Sequence, residues 1–191
     1  MKNKNILIVG VGGQGVLLAS EILCLAALEA GLDTKKSEVH GMAQRGGVVT
    51  SHVRMGNKIH SPLIKEGEAD IMLAFEAAEA LRWIYFIHPA GKAVINDYHL
   101  VPPIASMKGF EYPKNPIEKV KKRLDHIQVV SAVEMAKKLK NPKLVNTILI
   151  GVLSKSLEID ETIWKRVIKK RVPKGTEELN WQAFLQGRNQ N

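Results

Sequence analysis

The chain has 191 residues, 45% of them hydrophobic and 25% charged, the balance of an ordinary globular fold, and residues 1–191 are expected to form a single domain rather than a disordered or fibrous chain. Its longest apolar stretch, Val16 to Ala30, is broken by Ser20, Glu21 and Glu29, so it falls short of the roughly 18 uninterrupted apolar residues of a membrane span. The net charge is +9, and the excess is C-terminal: residues 1–95 hold 10 Lys/Arg against 9 Asp/Glu, residues 96–191 hold 18 against 10.

The N-terminus runs from Met1-Lys-Asn-Lys-Asn straight into a strand-like Ile6-Leu-Ile-Val-Gly10 with no small-residue cleavage site, which does not read as a signal peptide; a cytoplasmic protein with no membrane partner is expected. Asn5 to Gly10 predicts a buried strand and Gln14 to Ala30 a helix ended by Gly31, the residue a left-handed C-cap prefers. Within that helix Cys24 is the only cysteine, which excludes an internal disulfide or a four-thiolate iron-sulfur cluster held by this chain; its neighbours Leu23, Leu25 and Ala26 favour an inert buried thiol. Leu32 to Val39 predicts a second strand, and His40 to Gly47 is too glycine-rich for regular structure.

Val48 to Met55 alternates with period two, and Gly56-Asn57 predicts a hairpin turn to a return strand near Lys58 to His60. Asp70 to Phe75 is a continuous apolar strand, Glu76 to Ile84 a helix with acids at its N-terminus, and His88-Pro-Ala-Gly91 a turn feeding a strand from Lys92 to Asn96. Val101 to Pro116 reads as an irregular interface arm or mobile segment. A charged helix over Ile117–Leu124, a short strand over His126–Val130, and a helix to Leu139 with Ser131 and Glu134 as its capping box follow. Further helices are expected over Leu144–Leu157, Asp160–Lys170 and Thr176–Leu185. The pattern predicts an α/β, three-layer, Rossmann-like mixed sheet with a β-hairpin insertion and C-terminal helices.

Three features carry possible chemistry. Gly10, Gly12 and Gly15, with Gly13 and Gln14 between, satisfy G-x-G-x-x-G between a strand and a helix, where residues without Cβ let an anion approach backbone N–H groups. Two readings stand side by side, anion binding and simple close packing of helix on sheet. Both precede a true dinucleotide site, for which Glu38 is an imperfect ribose ligand. In the second loop Gln44 and Arg45 lie beside Gly46 and Gly47, so Arg45 suits either a bidentate contact to phosphate or carboxylate or a salt bridge at a subunit contact. His40, His52 and His60 have no zinc-like spacing and read as structural or surface residues, so no metal is assigned. No catalytic residue is assigned in this chain either, since no nucleophile elbow links its Ser, His and Asp residues. The Lys/Arg runs at 119–123, 137–140 and 165–171 lack interleaved aromatics, so no nucleic acid is expected and solvated helix faces are favoured.

Val9-Gly-Val-Gly-Gly-Gln-Gly15, Ser37-Glu-Val-His-Gly-Met-Ala-Gln-Arg-Gly-Gly47, Ser61-Pro-Leu-Ile64, Gly67-Glu-Ala-Asp-Ile-Met-Leu-Ala-Phe-Glu76 and Glu79-Ala-Leu-Arg82, in this order, resemble the gamma domain of the 2-oxoacid:ferredoxin oxidoreductases. The second loop resembles the indolepyruvate branch, where pyruvate-type subunits usually carry Gly-Pro-Glu-x-Arg-Gly-Gly. The resemblance implies a small beta-type subunit without its own cofactor. Its partner would be a larger alpha subunit holding thiamine diphosphate, magnesium and the iron-sulfur clusters, with ferredoxin reached through the complex. The implied reaction is oxidative decarboxylation of an arylpyruvate with CoA as co-substrate. The chain has no Gly-Asp-Gly motif for the magnesium of thiamine diphosphate, in keeping with chemistry housed elsewhere. A homodimer in isolation, a gamma subunit for pyruvate or another 2-oxoacid, a stand-alone dinucleotide-binding protein and a basic module docking ferredoxin are the competing expectations.

Overall fold

A computed structural model describes residues 3–41, 47–101 and 111–190. The chain runs β1 (Lys4–Val11), α1 (Val16–Glu29), β2 (Asp33–His40), β3 (Val48–Gly56), β4 (Ala69–Ala74), α2 (Ala77–Trp83), a 3-10 turn at Ile84–Phe86, β5 (Ile87–Asn96), α3 (Pro116–Lys121), β6 (His126–Val130), α4 (Ala132–Lys138), a 3-10 turn at Pro142–Leu144, α5 (Val145–Ser154), α6 (Glu161–Arg171) and α7 (Glu177–Arg188).

The six strands form one sheet in the order β2-β3-β1-β4-β5-β6. β1, β4, β5 and β6 are mutually parallel, while β3 is antiparallel to both of its neighbours, β1 and β2. The continuous apolar run of β1 is explained by its central place, because a strand covered on both faces has no solvent side on which to alternate. Ile6 and Ile8 join the core under α1 and α4 to α7, whereas Leu7 and Val9 join the core under α2 and α3. The result is the expected three-layer α/β fold.

Three local expectations are corrected. No strand forms at Lys58–His60. Ile59 N–H instead donates to Asp33 Oδ2 at 2.7 Å, and Arg54 donates to the carbonyls of Ser61 and Leu63, so side chains fasten the segment that a ladder was expected to hold. The antiparallel partner of β3 is β2, which precedes it, with eight residue pairs from Asp33↔Gly56 to His40↔Val49. The turn expected at His88–Gly91 lies inside β5, which begins at Ile87 and absorbs Pro89-Ala-Gly91 through a register shift against β4 between Ala69 and Ile71. The capping box at Ser131 is not made. Ser131 precedes α4 without a side-chain cap, Asn96 Oδ1 accepts from Ala132 N–H at 3.2 Å, and Glu134 pairs with Lys137. Of the irregular arm expected from Val101 to Pro116, residues 102–110 lie outside the described residues, and α3 starts at Pro116.

Candidate functional site

Adjacent parallel strands β1 and β4 send their helices to opposite faces of the sheet, α1 to one core and α2 to the other. In an open α/β sheet this is the switch point where a crevice opens beyond the strand ends. The glycine elbow fills the β1 side of it. Gly13 and Gly15 have φ of 95° and 84°, the left-handed region that costs a residue with a Cβ about 1–2 kcal/mol. A Cβ on Gly10 would stand 2.9 Å from that of Phe75, so the first glycine of the motif serves close packing of the elbow against β4. Gln14 turns back over the loop, its Oε1 accepting from Val11 N–H at 2.7 Å.

Gly12 N–H donates to Gly47 O at 2.8 Å, which brings the end of the second glycine loop onto the first. Gln44, Arg45 and Gly46 lie outside the described residues; Gly47 is thus the member of that loop seen beside the elbow. Glu38 does not face the crevice. It accepts from Ser20 Oγ and Lys36 Nζ, each at 2.8 Å. Burial pushes its carboxyl upward, but these hydrogen bonds and the Lys36 charge outweigh it and hold the group below the usual value. Glu38 is also not among the residues that line the cavity beside the elbow, so it is not placed as the acidic partner of a dinucleotide fingerprint.

Between the elbow and the first turn of α5 lies a cavity of about 540 Å³, within the roughly 300–1,000 Å³ of small-molecule sites. Its walls combine apolar Leu18, Phe75, Val145 and Val172 with Gln14, Asn96, Asn146 and Lys143. The sequence reading missed Asn96, Asn141, Lys143, Asn146 and Asn180, all of which line it. They lie 80 or more residues beyond the elbow, with no local pattern to mark them; the polar pair Asn146-Thr147 at the start of a largely apolar helix was the available signal.

On the far side of the switch point the β4–α2 junction is closed by its own acid. Glu76, 2% exposed, accepts from Glu79 N–H at 2.9 Å, from Leu100 N–H at 3.1 Å and from the Tyr112 hydroxyl. Glu79 in turn accepts from Arg82 Nε at 3.1 Å and Trp83 Nε1 at 3.2 Å, and burial raises its carboxyl above the ordinary range despite Arg82.

The histidines do not converge. His52 is buried and accepts from Ile64 N–H at 3.1 Å, with burial lowering its imidazole, while His40 and His60 are exposed. Among the described residues no group of three His, Cys, Asp or Glu could hold a metal ion. Cys24 is buried and its thiol is pushed up to about 12 by that burial, a poor fit to a thiolate ligand of an iron-sulfur cluster. Part of the C-terminal basic charge is tied into the fold. Arg166 pairs with Glu29 and Arg171 with Glu21, joining α6 to α1, and Lys169 pairs with Glu178. No helix among the described residues is long and apolar enough to cross a membrane.

Comparison with known proteins agrees with this architecture. Residues 5–190 match the family described as pyruvate ferredoxin/flavodoxin oxidoreductase. The chain is 37% identical to the indolepyruvate oxidoreductase subunit IorB of Thermococcus kodakarensis, covering 98% of this chain and 95% of that one, and 37% identical to that of Archaeoglobus fulgidus, covering 97% and 94%. A 2-oxoglutarate synthase subunit KorC from Methanothermobacter marburgensis is 26% identical, covering 97% and 95%. Among solved structures the fold is shared with a keto/oxoacid ferredoxin oxidoreductase gamma subunit from Geobacter sulfurreducens, with a TM-score of 0.71, 21% identity, and 96% and 95% covered. It is also shared with 2-oxoglutarate:ferredoxin oxidoreductase from Magnetococcus marinus, with a TM-score of 0.75 and 19% identity, where the match covers 98% of this chain but 31% of that one. The chain therefore belongs to the pyruvate ferredoxin/flavodoxin oxidoreductase family, as a small subunit of a 2-oxoacid:ferredoxin oxidoreductase.

Proposed function

We propose that this chain serves an indolepyruvate-specific enzyme, packing on a larger subunit that carries thiamine diphosphate, magnesium and the iron-sulfur clusters. The pair would oxidatively decarboxylate arylpyruvates with CoA and pass the electrons to ferredoxin. The observation that carries the reading is the split in identity: four relatives named IorB are 31–37% identical over nearly the whole chain, against 26–28% for those named KorC. The lone, buried Cys24 and the absence of a metal-holding group among the described residues support placing the redox chemistry on the partner.

The small subunit's own part is to complete the enclosure of the active site. The glycine elbow Gly10–Gly15, with Arg45 from the loop that meets it at Gly47, would contact the phosphates of CoA. Support comes from the Gly12–Gly47 bond and from the open N-terminus of α1 behind the elbow. The test is co-expression with the larger subunit and assay on indolepyruvate, pyruvate and 2-oxoglutarate. Arg45→Ala should raise the KM for CoA or weaken subunit association, and the elbow role is wrong if both stay unchanged. Preference for pyruvate or 2-oxoglutarate would remove the indolepyruvate assignment while leaving the subunit role in place.

A further inference from the structure

The cavity behind the elbow has the chemistry of a site for a negative group, on two independent observations. The first is the helix α1 that opens on it. This helix has neither an acidic residue in its first turn nor a side-chain cap, whereas α2, α3, α4, α6 and α7 each carry at least one acid there. Helix α5, which lacks an acid, continues from a 3-10 turn capped by Asn141 and has its Thr147 N–H met by Asn146. In α1 the first intrahelical bond is Ala19 N–H to Gly15 O, and among the described residues no backbone acceptor meets the N–H groups of Val16, Leu17 and Leu18. The positive end of that helix is therefore uncompensated by the described residues.

The second is Asn146, which is 5% exposed and lines the same cavity. Its Oδ1 accepts from Thr147 N–H at 2.8 Å and from Thr147 Oγ1 at 3.3 Å. That fixes which way the amide faces, because a backbone N–H cannot pair with an NH2 group. Nδ2 is left toward Gly15, 2.9 Å from where a Cβ on that residue would stand, and donates to no described residue. That donor is available to a ligand acceptor entering the cavity. Among the described residues the lining contains no carboxylate, and its one cation is Lys143.

We infer that this cavity binds the phosphate or carboxylate of a small organic anion, held between Asn146 Nδ2 and the N-terminus of α1 with Lys143 as countercharge. The apolar body of the ligand lies on Leu18, Phe75 and Val145. The assignment shares the N-terminus of α1 with the CoA reading but rests on the cavity lining, and the KM for CoA of the Asn146→Asp enzyme separates the two.

Calorimetric titration of the full chain tests it. Adenosine 3′,5′-bisphosphate and inorganic phosphate are the phosphate probes, indole-3-acetate the carboxylate probe, and adenosine and indole-3-ethanol their neutral counterparts. At least one organic anion should bind about tenfold or more tighter than its neutral counterpart, and the arm that binds identifies the source. Asn146→Asp, which keeps the acceptor for Thr147 but sets a carboxylate in the cavity, should weaken that binding about tenfold or more. Lys143→Gln, at an exposed position, should weaken it a few-fold and decides the matter should the buried variant fail to fold. Absence of binding by every anion, equal binding of anion and neutral probe, or unchanged affinity in both variants overturns the assignment. If anion binding is lost in Asn146→Asp while the assembled enzyme keeps its KM for CoA, the cavity assignment holds and CoA is removed as its occupant.

Discussion

The β1–α1 and β4–α2 junctions leave neighbouring parallel strands at the same edge of the sheet, yet they treat their helix N-termini in opposite ways. At β4–α2 the chain supplies its own anion: Glu76 caps α2 and gathers Leu100 N–H and the Tyr112 hydroxyl on the same side chain. At β1–α1 glycines replace the acid, Gly15 stands at the N-cap with φ 84°, and no side chain closes the helix. A filled helix end is a structural joint, and an open one beside a cavity is a place for something else to bind.

The comparison can be broken at three points, in falling order of effect. Glu76→Ala should destabilise the fold by about 2–4 kcal/mol, since it removes a cap and leaves buried donors unpaired. Urea unfolding followed by circular dichroism measures this, and a loss below about 1 kcal/mol would mean that the acid is not the joint described. Gly15→Ala should cost about 2 kcal/mol from the left-handed backbone alone, with further crowding of Asn146, whose Nδ2 would lie 2.9 Å from the new Cβ. Because the same Cβ intrudes on the cavity, anion affinity should fall with it; stability unchanged from wild type would show that the elbow relaxes freely.

The smallest effect is one of pH. Burial raises the Glu79 carboxyl above its ordinary value of 4.5, so the folded state holds that proton more tightly than the unfolded state does. Linkage then makes this residue's contribution favour folding at low pH and lose ground as pH rises from about 4.5 through the raised value. Wild type should therefore gain stability relative to Glu79→Gln as pH falls from 7 toward 4.5, measured by urea midpoints across that interval. A difference that stays constant with pH would remove the burial argument for this side of the switch point.

Much of the frame was legible from local pattern. The apolar run of β1, the glycine elbow, the helix ended at Gly31 and the strand over His126–Val130 are all encoded within a few residues, and the structure keeps each of them. Partner choice was less legible. Gly56-Asn57 looked like a hairpin because turn chemistry favours one there, but β3 already had β2 on one side and β1 on the other. Both edges of β3 were taken, so no position in the sheet remained beside it for a return strand. Ser131 looked like a cap for the same local reason, but its side chain makes no cap bond, while the N–H of Ala132 goes to Asn96, which is distant in sequence, and Glu134 turns to Lys137.

The sequence by itself determined the βα elbow, the α/β class and the ordered motifs of the family, because glycine geometry, apolar periodicity and short-range spacing act between neighbours in the chain. Only the tertiary structure decided that Glu38 is held by Ser20 and Lys36 rather than aimed at a ligand, and that Asn146 and Lys143 meet the elbow across a cavity. The Ser20 contact joins α1 to β2 across 18 residues, and the cavity joins the elbow to a helix more than a hundred residues away on one face of the sheet, a distance about which no local pattern carries information.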